Sequence, residues 1–166
     1  MVSIFQKSKK ILVIVPVRGG SRRLKNKNIL EIKNIPMFLY VIKNIENSKY
    51  KPIIIVTSEN PKILKKCEKN KIEFIKRPKY LSKSHVEKHD AIVHATKYLS
   101  YKEKYYPKIV ISLQANTPQI TSNDLGSSRI LNFSIYLLLC KPEVSTKWPS
   151  IIAPFSTNKS YILFFI

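Results

Sequence analysis

Ile11-Leu12-Val13-Ile14-Val15-Pro16-Val17-Arg18-Gly19-Gly20-Ser21-Arg22-Arg23-Leu24-Lys25-Asn26-Lys27-Asn28 is the stretch on which the reading of this chain turns. Its first seven residues are apolar and rich in β-branched side chains, without polar alternation. That pattern predicts a strand covered on both faces. Two glycines follow almost at once, so the backbone can turn sharply and come close to a ligand. Arg18 precedes them; Ser21, Arg22, Arg23, Lys25 and Lys27 come after. Backbone N–H groups combined with several cations are what a triphosphate requires. A merely solvated basic loop has the same composition, and the residue types alone leave both readings open. The stretch is neither a Walker A loop nor the dinucleotide Gly-x-Gly-x-x-Gly fingerprint.

Outward from this loop, strand and helix patterns alternate. Pro36 is placed for the first turn of a helix carrying Phe38, Val41, Ile42 and Ile45 at helical spacing. Ile53 to Val56 reads as a second buried strand. Asn60-Pro61 then reads as a cap and first helical residue, with Ile63, Leu64 and Cys67 on one face. Ile72 to Ile75 predicts a short third strand. Ser84-His85-Val86-Glu87 fits a capping box opening a helix with Ile92, Val93, Ala95, Thr96 and Leu99. Ile109 to Leu113 predicts a fourth strand, running into Gln114-Ala115-Asn116-Thr117-Pro118. This rhythm predicts an α/β, Rossmann-like fold with a mainly parallel sheet. Ligands of such sheets bind beyond the carboxyl ends of the strands, where the Arg18 and Gln114 loops would lie.

The chain has 166 residues, 44% of them apolar, enough for one domain with a core. Its formal charge is +20, which raises nucleic-acid binding as a function. The excess is mostly Lys, spread along the chain and accompanied by Ile, Asn and Tyr, a mixture that an AT-rich coding sequence produces by bias. No nucleic-acid motif accompanies it, so nucleic acid is not the expected partner, although a basic surface would draw in nucleotides and acidic sugars. Cys67 and Cys140 give neither a disulfide framework nor a metal spacing, and a reducing, cytoplasmic setting is expected. Lys7, Lys9 and Lys10 before the apolar run imitate a signal peptide, but Arg18-Gly19-Gly20 is no cleavage site. Ile130 to Cys140 is too short to span a bilayer, and no membrane partner is expected.

The ordered set Pro16-x-Arg18-Gly19-Gly20-Ser21-Arg22…Lys27-Asn28, Ile54-Ile55-Val56-Thr57-Ser58, Arg77-Pro78 with Leu81-Ser82, and Leu113-Gln114…Thr117-Pro118 resembles the acylneuraminate cytidylyltransferases, the CMP-sialic acid synthetase family. The likeness covers about residues 10 to 125. It implies a Rossmann-like nucleotidyltransferase fold and transfer of CMP from CTP to an acidic nine-carbon sugar, with release of pyrophosphate and Mg²⁺ as cofactor. Carried over position by position, Arg18, Gly19, Gly20, Ser21, Lys27 and Asn28 would hold the triphosphate. Arg77 and Gln114 would contact the nucleotide, and Arg18 and Lys27 would act in catalysis, where positioning and charge stabilisation at phosphorus dominate.

Two blocks depart from the family. Ser82-Lys83-Ser84-His85-Val86-Glu87 replaces its Ser-x-Asp-Thr-Ala-Ser, and Ala115-Asn116-Thr117-Pro118-Gln119-Ile120 loses an arginine. After Leu125 nothing resembles it: the Mg²⁺-holding carboxylates, sugar pocket and dimerisation segment of the family's later half have no counterpart, and the protein ligands of a metal stay unknown. Residues 1–125 therefore read as a nucleotide-binding, cytidylyltransferase-like region, and 126–166 as a divergent tail without strand–helix rhythm. The fold is expected to be incomplete at its C-terminal side, with a truncated or shifted reading frame near Gly126. Weak or absent turnover is expected, and the family's homodimer is not. A nucleotide-binding remnant and a basic nucleic-acid-binding protein stand as alternatives.

His85 and His89 share a helix face, but Glu87 does not follow the first His as in metalloproteases, and it serves better as the partner of Ser84. His94 reads as an ordinary polar helix position. Tyr98, Tyr101, Tyr105 and Tyr106 are read as packing near a helix end in preference to base stacking.

Overall fold

A computed structural model describes residues 11–20, 27–83, 86–126, 136–139 and 162–165. In chain order these form β1 (Ile11–Pro16), the hairpin β2 (Glu31–Ile32) and β3 (Ile35–Pro36), α1 (Met37–Glu46), β4 (Ile53–Ser58), α2 (Pro61–Lys69), β5 (Phe74–Lys76), α3 (Lys88–Lys102), β6 (Ile109–Ser112), β7 (Tyr136–Leu139) and β8 (Ile162–Phe165). The main sheet runs β5-β4-β1-β6-β7-β8. β1 is parallel to both of its neighbours, with Leu12 opposite Ile53 on one side and Val110 on the other. Within this sheet only the described β6–β7 pairing is antiparallel; β2 and β3 form a separate antiparallel pair.

Alternation along β1 divides the core into two layers. Val13, Val15 and Val17 join Phe38, Val41, Ile45, Ile63 and Cys67 beneath α1 and α2. Leu12 and Ile14 join Ile53, Ile55, Ile92, Ala95 and Leu99 beneath α3. Each such side chain contributes about 1.5–3 kcal/mol on burial, so the apolar run of β1 stabilises the sheet from both sides. The chain winds from β1 outward to β5 on one side, then returns through α3 to β6 on the other side. The switch point thus falls between β1 and β6, where parallel sheets bind ligands.

Several boundaries differ from the sequence reading. Pro36 is not in the first turn of α1 but caps it, because its extended backbone still pairs with Glu31. The third strand lies at Phe74–Lys76 and buries only Ile75. Helix α3 starts at Lys88, later than the opening read at Ser84–Glu87, with Glu87 extended just before it and offering no side-chain cap. A turn closed by Val86 N–H to Lys83 O occupies the chain just before it; Ser84 and His85 lie outside the described residues. Tyr105 is buried in the core, and Tyr98, Tyr101 and Tyr106 lie exposed at the surface. Beyond residue 125, where no strand was read, β7 and β8 extend the sheet.

Asn60 does cap α2 as expected, its Oδ1 accepting from Lys62 N–H at 2.9 Å with Pro61 next. Burial in this layer pushes the Cys67 thiol up to about 12. Since the thiolate is the reactive form, native protein treated with iodoacetamide at pH 8 should leave Cys67 unmodified by peptide mass mapping. Labelling should appear only with denaturant; rapid labelling of the native chain would contradict its burial. No helix among the described residues is long and apolar enough to cross a membrane.

Candidate functional site

Four loops leave the carboxyl ends of the parallel strands. The β1 strand delivers Arg18, Gly19 and Gly20, with Val17 N–H still bonded to Thr57 O at 2.9 Å. The β4 strand delivers Glu59, β5 delivers Arg77, and β6 delivers Gln114. Gly19 packs so tightly on the start of α2 that a Cβ there would lie 2.8 Å from Asn60 Cβ and Cγ, and nearer still to the amide nitrogen. A side chain at 19 is therefore sterically barred, whereas Gly20 faces open space.

A single carboxylate links the loop after β1, the end of β5 and the turn at Lys79–Ser82. Glu59 Oε1 accepts the Gly19 backbone N–H at 2.8 Å. Its Oε2 accepts Arg77 Nη2 at 2.7 Å and Ser82 Oγ at 2.7 Å. Burial would raise the Glu59 carboxyl, but these hydrogen bonds outweigh it and hold the group below the ordinary carboxylate range. Arg77 is only 5% exposed, and its own N–H donates to Ser58 O at 2.8 Å. Its Nε, together with Thr57 Oγ1 and His94 Nδ1, is buried without a hydrogen-bond partner among the described residues. Such atoms cost about 1–3 kcal/mol each when left unmade. A polar ligand at this edge could supply partners.

The edge is cationic. Burial and the charge of Arg18 lower the Lys88 ammonium at the start of α3, although the residue keeps an exposed portion. Burial and the charge of Arg77 lower His94, favouring the neutral imidazole. Arg18, Arg77 and Lys88 thus approach one region from three elements.

Of the residues singled out in the sequence, Arg18, Gly19, Asn28 and Arg77 come together: Asn28 Nδ2 donates to Arg18 O at 3.1 Å and completes the chain of contacts through Gly19 to Glu59. Lys27 stands beside Asn28 in a turn of 3-10 helix and is half-buried. Gln114 follows β6 next to β1, its carbonyl accepting from Thr117 Oγ1 at 2.8 Å. That loop is tied to α1, where Asn44 Nδ2 donates to Pro118 O at 2.7 Å. Ser21 lies outside the described residues, as does His85. Sequence reading missed Glu59, Lys88 and His94. Glu59 had a usable signal: it is a carboxylate one residue past a buried strand, on the edge that also receives the basic loop.

Among the described residues no set of side chains suits the Mg²⁺ expected by resemblance. Magnesium takes oxygen ligands in near-octahedral geometry. Both oxygens of Glu59 are committed to the Gly19, Arg77 and Ser82 donors, and Asp124 Oδ2 accepts from the Thr121 N–H and Oγ1. No group of three His, Cys, Asp or Glu side chains gathers among the described residues. The residues described do not fit the ion, and no chemical step is derived through it.

Comparison with known proteins agrees with this fold. The sequence pattern of the family described as "Cytidylyltransferase" matches residues 12–128. A pseudaminic acid cytidylyltransferase of Campylobacter jejuni subsp. jejuni serotype O:23/36 is 32% identical over 118 residues, covering 70% of this chain and 50% of that protein. An N-acylneuraminate cytidylyltransferase of Escherichia coli O18:K1:H7 is 31% identical over 86 residues, 52% of this chain and 20% of that one. The fold is shared with a solved CMP:2-keto-3-deoxy-manno-octonic acid synthetase complexed with CTP, with TM-score 0.59 and 23% identity over 70% of this chain and 44% of that one. The chain spans about half the length of the pseudaminic acid relatives it matches.

Proposed function

Because the chain belongs to the cytidylyltransferase family, we propose that it forms the CTP-binding half of an enzyme activating an acidic sugar. One observation carries this: Arg18, Arg77 and Lys88 approach a glycine turn at the carboxyl edge of a parallel sheet. A nucleoside triphosphate brings about four negative charges, and convergent fixed cations bind it without reorganising. In the reaction, the sugar's anomeric hydroxyl attacks the α-phosphorus and gives up its proton to solvent, the bond from the α-phosphorus to the α–β bridging oxygen breaks, and pyrophosphate leaves with the released charge. Arg18 and Lys27 would offset that charge; Gly20 N–H and Asn28 would orient the chain of phosphates; Arg77 and Gln114 would hold the nucleoside end. Acylneuraminate-type sugars, of nine carbons, are the acceptor we favour, since the relatives named above act on pseudaminic and N-acylneuraminic acids. With a nucleotide substrate and a buried free thiol at Cys67, we place the protein in the cytoplasm.

A second reading, nucleotide binding without turnover, is favoured by the commitment of Glu59 to Arg77 and the lack of a carboxylate set for a metal among the described residues. Calorimetry separates the readings. The wild type should bind CTP in the presence of Mg²⁺, and Arg18→Ala should weaken binding about tenfold or more, since a charge-assisted contact to phosphate contributes about 1.5–3 kcal/mol. Pyrophosphate release on adding an acidic sugar would then establish turnover. A folded wild type with no CTP affinity would sink both readings.

A further inference from the structure

Resting on the CTP reading above, we propose that Glu59 is a positioning residue that locks the glycine turn and Arg77 into the arrangement that receives the nucleotide. Its carboxylate stands among four segments of one edge. It follows β4, takes the Gly19 N–H from the loop after β1, the Arg77 guanidinium from the end of β5, and the Ser82 hydroxyl from the turn at Lys79–Ser82. No other side chain among the described residues bridges so many of these loops.

The bonding pattern divides labour between the two glycines. Gly19 N–H is spent on Glu59, and the same residue is pressed against Asn60 with no room for a Cβ. Gly19 therefore anchors the turn, and Gly20, which faces open space, is the one free to approach phosphate. The guanidinium is treated likewise. One terminal nitrogen of Arg77 is held by Glu59 at 2.7 Å while Nε stays unbonded among the described residues. An arginine pinned at one corner presents its remaining donors in a fixed direction, which lowers the ordering cost of binding.

The sign of the effect distinguishes positioning from simple charge. A carboxylate on a cationic edge repels a triphosphate, so if bulk charge were its whole influence, neutralising it would tighten CTP binding. Positioning predicts the reverse. Glu59→Gln keeps the size and one acceptor but meets the donors of Arg77 and Ser82 with an amide N–H₂. It should weaken CTP binding about tenfold or more at a temperature where circular dichroism shows both proteins folded. Glu59→Asp, which keeps the charge, should recover part of that loss, and it replaces the Gln variant in the comparison if the latter does not fold. Affinity equal to or tighter than wild type in the folded variant overturns the proposal.

A readout without ligand keeps the two readings apart. Gly19 amide exchange followed by NMR should speed up about tenfold or more in Glu59→Ala, because its acceptor is gone. Unchanged exchange overturns the locking of the turn. Wild-type protein that ignores CTP while Gly19 responds would defeat the CTP reading and leave the lock standing as a feature of the loop itself.

Discussion

Arg77→Met should lower the stability of the chain by about 3 kcal/mol at neutral pH, and this deficit should shrink on acidification. The reasoning starts from burial. The Arg77 side chain is 4% exposed and Glu59 15%, so the pair is largely removed from water. Deleting one member of a buried ion pair costs about 3–5 kcal/mol, because the other charge is left uncompensated. Gly19 and Ser82 still donate to Glu59, and the loss of the unbonded Arg77 Nε is itself a relief, which places the estimate at the low end. The pH dependence follows from the sign of the shift. In the wild type the folded carboxyl sits below its ordinary value of 4.5, so its contribution is fully present above about that pH and is lost as pH falls through the lower folded value. Without Arg77, burial dominates and the folded value rises, so the penalty is felt at neutral pH and relieved when Glu59 takes up a proton. Urea unfolding at pH 7 and near pH 4 checks this. An equal deficit at both values would mean that packing, not charge, is what Arg77 supplies.

Phe38→Ala should be still more damaging, by about 3–5 kcal/mol. Phe38 is fully buried and heads the largest buried side chains among the described residues. It belongs to the layer of Val13, Val15 and Ile63, and Ile29 packs against the same cluster. Since ~1 kcal/mol moves the melting temperature of a chain this size by about 2–4 °C, a fall of roughly 6–20 °C should appear in a thermal scan. Ile29 ends the turn that carries Lys27 and Asn28. Loosening this cluster should therefore also weaken CTP binding, an effect absent from an equally buried site such as Leu99 on the far layer.

The parts of this architecture visible in the sequence are those written locally. Ile11–Val17 is a continuous apolar run and Ile109–Leu113 is broken only by Ser112, a pattern that suits a strand covered on both faces; Asn60-Pro61 names a helix start in two residues. The likeness to a known family extended that reading to Arg77 and Gln114, whose neighbours in sequence say little. What escaped depends on distance along the chain. Glu59 meets Gly19, Arg77 and Ser82 at separations of 40, 18 and 23 residues, and no local pattern records that meeting. The β2–β3 hairpin escaped for another reason. Its turn puts Lys33 and Asn34 at positive φ, a conformation usually signalled by glycine. Lys88 and His94 looked like surface polar positions because helical spacing gives no sign of which turn of α3 lies beside an arginine.

The central position of β1 sets an order on synthesis. Its first partner, β4, is complete at residue 58, but its second, β6, arrives only at residues 109–112. At about 5–20 residues per second, a ribosome needs several seconds to add that intervening stretch. Throughout that interval the nascent chain carries an unpaired apolar strand edge, the feature on which polypeptides join edge to edge. Its lysine-rich composition, with a formal charge of +20 over the whole chain, makes neighbouring nascent copies repel one another while the edge is open. The positive charge that would draw nucleotides to the folded surface would thus also act on the chain before it has finished folding.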